Sequence, residues 1–101
     1  MVYLMMDQKK NCNLVKVGLS RKLNDRRAAY YSLNPMAIMR SSCSGTEAAE
    51  NACRDTLKKL GKRIKGTEWF IVSDEIFEKL YNEGMGFFYP NKKITFNENF
   101  T

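Results

Sequence analysis

The sequence predicts a small α+β domain, and three observations lead there. Two short runs of strand formers, Val2 to Met6 and Leu14 to Val17, flank a polar stretch of turn composition. Two later segments, Glu47 to Leu60 and Asp74 to Glu83, carry apolar residues at helical spacing behind good N-cap residues. The other apolar runs are short and bounded by turn signals, so the chain mixes short strands with helices. With 101 residues and 44% hydrophobic content, there is material for one modest core and no second one.

Taken in order, Asp7 to Asn13 is the turn that closes the first two strands into an antiparallel hairpin. Side chains alternate faces along a strand, so Tyr3 and Met5 oppose Val2, Leu4 and Met6, while Lys16 opposes Val15 and Val17. Whether Tyr3 and Lys16 share a face depends on register, which a slip of one residue reverses. Leu23 to Leu33 predicts a helix ended by Asn34-Pro35. Leu23 and Tyr30 fall on one face, with Arg26 and Arg27 on or beside it. An arginine there either needs a partner or snorkels out from the core edge.

Met36 to Cys43 is a third strand, and Thr46 caps the helix that follows. Glu47 and Glu50 stand in its first turns, where carboxylates complement the helix dipole. Ala49, Ala52, Cys53, Thr56, Leu57 and Leu60 form the expected apolar stripe, and Gly61 stops the helix. Lys62 to Thr67 is a basic loop, Glu68 to Val72 a short buried strand, and Ser73 the cap of the last helix. Beyond Gly84, the runs Gly86 to Tyr89 and Ile94 to Phe96 either pair as a hairpin or pack as an arm. The expected layout is a domain over residues 1–83 and a C-terminal tail over 84–101 packed on it. No repeat or linker marks a further unit, and no separate DNA-reading module is expected.

A formal charge of +6 favours an anionic partner, with nucleic acid ahead of an anionic membrane. The bland alternative is a lysine-rich protein with no such partner. No apolar run approaches the ~20 residues that span a bilayer, and Met1 to Met6 is too short for a signal-peptide core. Cys12, Cys43 and Cys53 are odd in number and irregularly spaced, and the chain has no histidine. This argues for reduced thiols in a cytosolic setting, against zinc, and against any histidine-based triad. Catalysis, if any, falls to Tyr, Lys, Arg, Glu or Asp.

Four elements stand in a meaningful order: Val2-Tyr3-Leu4, then Lys16-Val17-Gly18, then Arg26 eight residues after Gly18, then Glu50 with Glu68-Trp69-Phe70 downstream. This pattern resembles the GIY-YIG nuclease superfamily across residues 1 to about 82. The match is to its phage-associated branch, where the second motif reads Lys-Ile-Gly or Lys-Val-Gly. The resemblance implies a small central antiparallel three-stranded sheet flanked by helices, and hydrolysis of phosphodiesters with one Mg²⁺ or Mn²⁺. Glu50 would bind the metal, Arg26 the phosphate, and Tyr3 would activate or position the water. Lys16, in place of the second tyrosine, would clamp a phosphate as a point charge, or act as a base if desolvation lowered its pKa. Clamping is the reading preferred.

Arg54 stands where related sequences often place a histidine, and Asn82 is the candidate for the family's late asparagine. Arg27 and Glu47 replace Arg26 and Glu50 if the helix registers shift. Arg27, Arg54, Lys62, Arg63 and Lys65 supply the expected substrate-binding charge. The implied partner is nucleic acid, DNA ahead of RNA, cut with low intrinsic sequence specificity in the cytoplasm of a bacterial or phage-infected cell. The bland readings are that Glu50 and Arg54 form a surface i, i+4 ion pair and that Trp69 and Phe70 are core residues. Val2 where glycine is usual, Lys16 for tyrosine and the missing histidines motivate an alternative: a nucleic-acid or nucleotide binding module that has lost the reaction. A viral interaction or inhibitor protein is a third class.

Overall fold

The computed structural model describes residues 1–9, 12–33 and 37–97. β1 (Val2–Lys9) and β2 (Cys12–Leu19) form the expected hairpin. They are followed by α1 (Leu23–Leu33), β3 (Ile38–Cys43), α2 (Glu47–Leu60), β4 (Lys62–Arg63), β5 (Phe70–Val72), α3 (Asp74–Glu83), a 3₁₀ turn at Gly84–Phe87, and β6 (Ile94–Phe96). The expected helix stop at Asn34-Pro35, the strand start at Met36, the hairpin-turn residues 10–11 and the tail end 98–101 lie outside the described residues.

The α+β class holds, but the sheet has six strands in the order β4-β5-β2-β1-β3-β6, not three. The expected three-stranded sheet is its centre, β2-β1-β3, and every pairing is antiparallel. The added strands are only two or three residues long; β5 falls within the strand expected over Glu68 to Val72 and β6 coincides with the run Ile94 to Phe96, whereas β4 is unannounced in the sequence. They exist because a neighbour offers an open ladder: Lys62–Arg63 opens the expected basic loop as a strand on β5, and Ile94–Phe96 adds to β3. Of the two options for the tail, the chain takes the arm. Residues 84–87 coil into the 3₁₀ turn, and β6 crosses to the sheet edge, fixed by Asn97 Nδ2 donating to the Met39 carbonyl at 2.8 Å.

Register settles the faces. Tyr3 stands opposite Gly18 and Met5 opposite Lys16, so Tyr3 and Lys16 project from the same side, here called the front. The back carries Val2, Leu4, Met6, Val15, Val17, Phe70 and Val72, closed by Cys53 and Leu57 of α2, Leu80 of α3 and Met85 of the 3₁₀ turn. The front carries Tyr3, Met5, Ala37 and Met39, with Leu23 and Tyr30 of α1 and Trp69 packed against them. A bulge between Leu4 and Met5 shifts the β3 pairing by one residue, so that Ser41 reaches the back, where its Oγ accepts from the Met85 N–H at 3.0 Å.

α2 is rotated from the expected stripe. Ala52 and Leu60 are exposed, whereas Glu50, Cys53 and Leu57 are buried. Inward positions three and four apart include a carboxylate that hydrophobicity alone would have turned to solvent. Thr46 and Ser73 cap α2 and α3 through their side-chain oxygens. All three cysteines are free. Burial pushes the Cys53 thiol up to about 11, so it stays neutral in the core.

Candidate active site

β5 pairs with β2 only from Asn13 to Val15, while β2 continues to Leu19. The Lys16–Leu19 edge therefore lacks a β5 partner, and a cleft of about 360 Å³ opens there. Its walls come from both sides of the sheet: Tyr3, Lys16, Gly18 and Leu19 from the hairpin, Arg26 and Tyr30 from α1, Glu47, Glu50 and Arg54 from α2, and Glu68 before β5. Helices packed on opposite faces of a sheet can share a site only around its edge. A truncated strand supplies that edge.

Tyr3 is buried, at 2% exposure. A Cβ at Gly18 would overlap the hydroxyl end of the Tyr3 ring, so the glycine of the second motif is there to make room for the tyrosine of the first. The Tyr3 and Tyr30 hydroxyls share a hydrogen bond at 3.2 Å, their rings edge-on with centroids 6.1 Å apart. Burial, reinforced by that hydrogen bond, raises the Tyr3 pKa far above its usual value, and nearby Arg26 only partly opposes this. The phenol is a neutral donor and acceptor at physiological pH.

The charged groups form a chain. Lys16 Nζ lies 3.2 Å from Glu68 Oε2 and 5.0 Å from the centroid of the Tyr30 ring. Arg54 Nη2 donates to Glu68 Oε1 at 2.6 Å and to Glu50 Oε2 at 2.9 Å. The expected Glu50–Arg54 pair thus forms, though not as a surface pair, because Glu50 is only 8% exposed. Arg54 Nε is buried without a hydrogen-bond partner among the described residues.

Tyr3, Lys16, Arg26 and Glu50 are brought together in this one cleft, and Arg54 and Glu47 stand beside them. Arg63 lines an adjoining hollow with Arg54, Lys58, Glu68 and Phe70, its Nε donating to the Thr67 carbonyl at 2.7 Å. Lys62 and Lys65 are exposed and line neither space. Arg27 is half-buried on α1 and is not part of the cleft wall, and Asn82 is exposed on α3 outside it.

Two polar cleft residues, Tyr30 and Glu68, carry no site role by sequence alone. Tyr30 reads as a core aromatic, and only the structure puts its hydroxyl on Tyr3. Glu68 reads as a motif marker. A tight turn presents it, in which Gly66 has φ +80, Thr67 N–H donates to the Ile64 carbonyl at 3.1 Å, and Ile64 N–H donates to the Trp69 carbonyl at 2.9 Å. The signal was an acidic residue wedged between a glycine turn and an apolar strand.

Among the described residues no helix is long and apolar enough to cross a membrane. No curated protein and no solved structure matches the chain. A family model does match, over residues 1–83, which is most of the chain, and by that match the protein belongs to the T5orf172 domain family.

Proposed function

We propose that this chain is a GIY-YIG-like nuclease domain, a metal-dependent phosphodiesterase that cuts nucleic acid with little sequence preference. One observation carries the reading: Tyr3, Lys16, Arg26 and Glu50, spread over 48 positions of sequence, line a single cleft.

The cleft chemistry fits a hard divalent cation. Its acidic groups are carboxylates: Glu50, Glu47 one turn earlier on the same helix, and Glu68, which is paired with Lys16 and Arg54. Among the described residues no cluster of three or more Cys, Asp or Glu makes a ready cage. One or two carboxylates, with water and substrate phosphate completing the shell, is how Mg²⁺ is usually held, and Mn²⁺ accepts the same donors. Glu50, assisted by Glu47, is therefore assigned to Mg²⁺ or Mn²⁺. When bound, the ion neutralises charge on the phosphoryl oxygens and acidifies a coordinated water.

The protein groups divide the remaining work. Arg26, exposed at the rim, offers a guanidinium that can grip two phosphate oxygens at once. Lys16 adds a point charge. Arg54 fixes the Glu50 carboxylate through one oxygen. Tyr3, held protonated by burial, orients the attacking water by hydrogen bonding and does not serve as a phenolate base.

The test is a cleavage assay on labelled DNA and RNA with Mg²⁺ or Mn²⁺. Glu50→Ala is expected to abolish cutting while its thermal midpoint stays near that of the parent. Cutting that persists in chelator, or in Glu50→Ala, would contradict the assignment. Salt-sensitive binding without cutting under either metal would instead favour the reaction-less binding module that Lys16 and the Glu50–Arg54 pair also suit.

A further inference from the structure

The cleft does not stand alone. It shares Arg26 with a hollow of about 410 Å³ at the start of α1, which Arg21 and Lys22 also line. On its other side it shares Arg54 and Glu68 with a hollow of about 170 Å³ that holds Lys58 and Arg63. Shared walls make the three spaces contiguous, with the Glu47–Glu50 carboxylates in the middle space and a basic pair beyond each end. Asp25 in the first hollow and Glu68 in the third are the carboxylates set among those cations.

Building on the proposed function, we infer that the three hollows form one groove that seats a single polynucleotide strand. Arg21 and Lys22 grip phosphates on one side of the scissile bond, and Lys58 and Arg63 grip them on the other. A lone nucleotide is better served by one enclosed, mostly apolar pocket, whereas repeated cations along open hollows match a repeated phosphate. Cations on both sides mean that the bond to be cut lies inside a strand, so no strand end is required. Phosphate contacts carry no base information, which agrees with weak sequence preference. The molecule is 31 Å along its longest axis. At ~3.4 Å per nucleotide of a stacked strand, the groove contacts no more than about nine nucleotides.

The experiment measures binding of labelled single-stranded oligonucleotides of increasing length to the full chain, in chelator and across a salt series. The variants are Arg21→Gln with Lys22→Gln, Lys58→Gln with Arg63→Gln, and, as a control outside all three hollows, Lys79→Gln. For the parent, affinity should keep rising up to about nine nucleotides and then level off. Each arm variant should lose about 1.4 from the slope of log affinity against log salt, two phosphate contacts at ~0.7 each, and should level off at a shorter length. Lys79→Gln should behave as the parent. Arm variants indistinguishable from Lys79→Gln, or affinity already level at two or three nucleotides, would overturn the groove. If Glu50-dependent cutting persists in that case, the groove alone has failed. Absence of any binding at low salt overturns the groove and the nuclease reading together.

Discussion

The two faces of the sheet begin on the same strand and end with different chemistries. On β1, Val2, Leu4 and Met6 point back, and Tyr3 and Met5 point forward. All five are buried, so burial does not distinguish them; what covers them does. Two helices and a 3₁₀ turn close the back, whose buried side chains are mostly apolar, and the polar Ser41 Oγ there accepts from the Met85 N–H. A single helix, α1, covers the front, and at its rim phenols, a lysine and an arginine meet the open edge of β2. Full closure leaves no room for unsatisfied polar groups. Partial closure desolvates a phenol while keeping solvent and ligands within reach. The back therefore carries stability and the front rim carries reactivity.

The largest expected effect tests the back. Leu57 is fully buried there, and Leu57→Ala should lower unfolding stability by about 2–5 kcal/mol, read from denaturant midpoints. Cutting per folded molecule, measured at low temperature, should be retained. A near-neutral Leu57→Ala would erase the division of labour between the faces. Gly18→Ala comes next and belongs to the front. Its Cβ would overlap the Tyr3 hydroxyl end, and overpacking of this kind costs about 1–3 kcal/mol. Cutting should fall further than the loss of folded protein explains, because the ring must turn away from Tyr30. A loss of activity that only tracks stability would mean that the Gly18–Tyr3 fit is structural alone.

Much of the framework was legible in sequence. α1, α2 and α3 start and stop where the expected caps and periodicities put them, as far as the described residues reach. The hairpin was legible too, because alternating apolar runs around a polar turn have few other solutions. The rim was harder to read, for identifiable reasons. Placing Tyr3 beside Lys16 needs a register, and the cue that fixes it is the small size of Gly18 opposite a large ring. β4 is created by tertiary pairing and leaves no local periodicity, and the places of β5 and β6 in the sheet rest on pairings that the local sequence does not specify. Glu50 faces inward although Ala52 is more apolar, since Arg54 and the cleft give its carboxylate partners that a stripe of hydrophobicities does not record. Glu68 is 14 residues from Arg54 in sequence, so no helix or strand spacing ties them together.

The smallest expected effect on stability has the clearest functional signature. Glu68 holds Lys16 at 3.2 Å and Arg54 at 2.6 Å, yet its side chain is half exposed, and ion pairs of this kind contribute little to folding. Its carboxylate occupies the place where a phosphate would satisfy the same two cations. Glu68→Gln should therefore shift stability by less than about 1 kcal/mol. It should tighten oligonucleotide binding at low salt and steepen the salt slope by up to about one, because a competing internal anion is gone. Cutting at saturating substrate should slow, since Arg54 loses the second carboxylate that fixes its reach toward Glu50. Tighter binding with slower cutting separates attraction from positioning within one residue. Weaker binding in Glu68→Gln would instead make this carboxylate a scaffold for the cations, and the rim beside β5 would then belong with the back of the sheet in purpose as well as in rigidity.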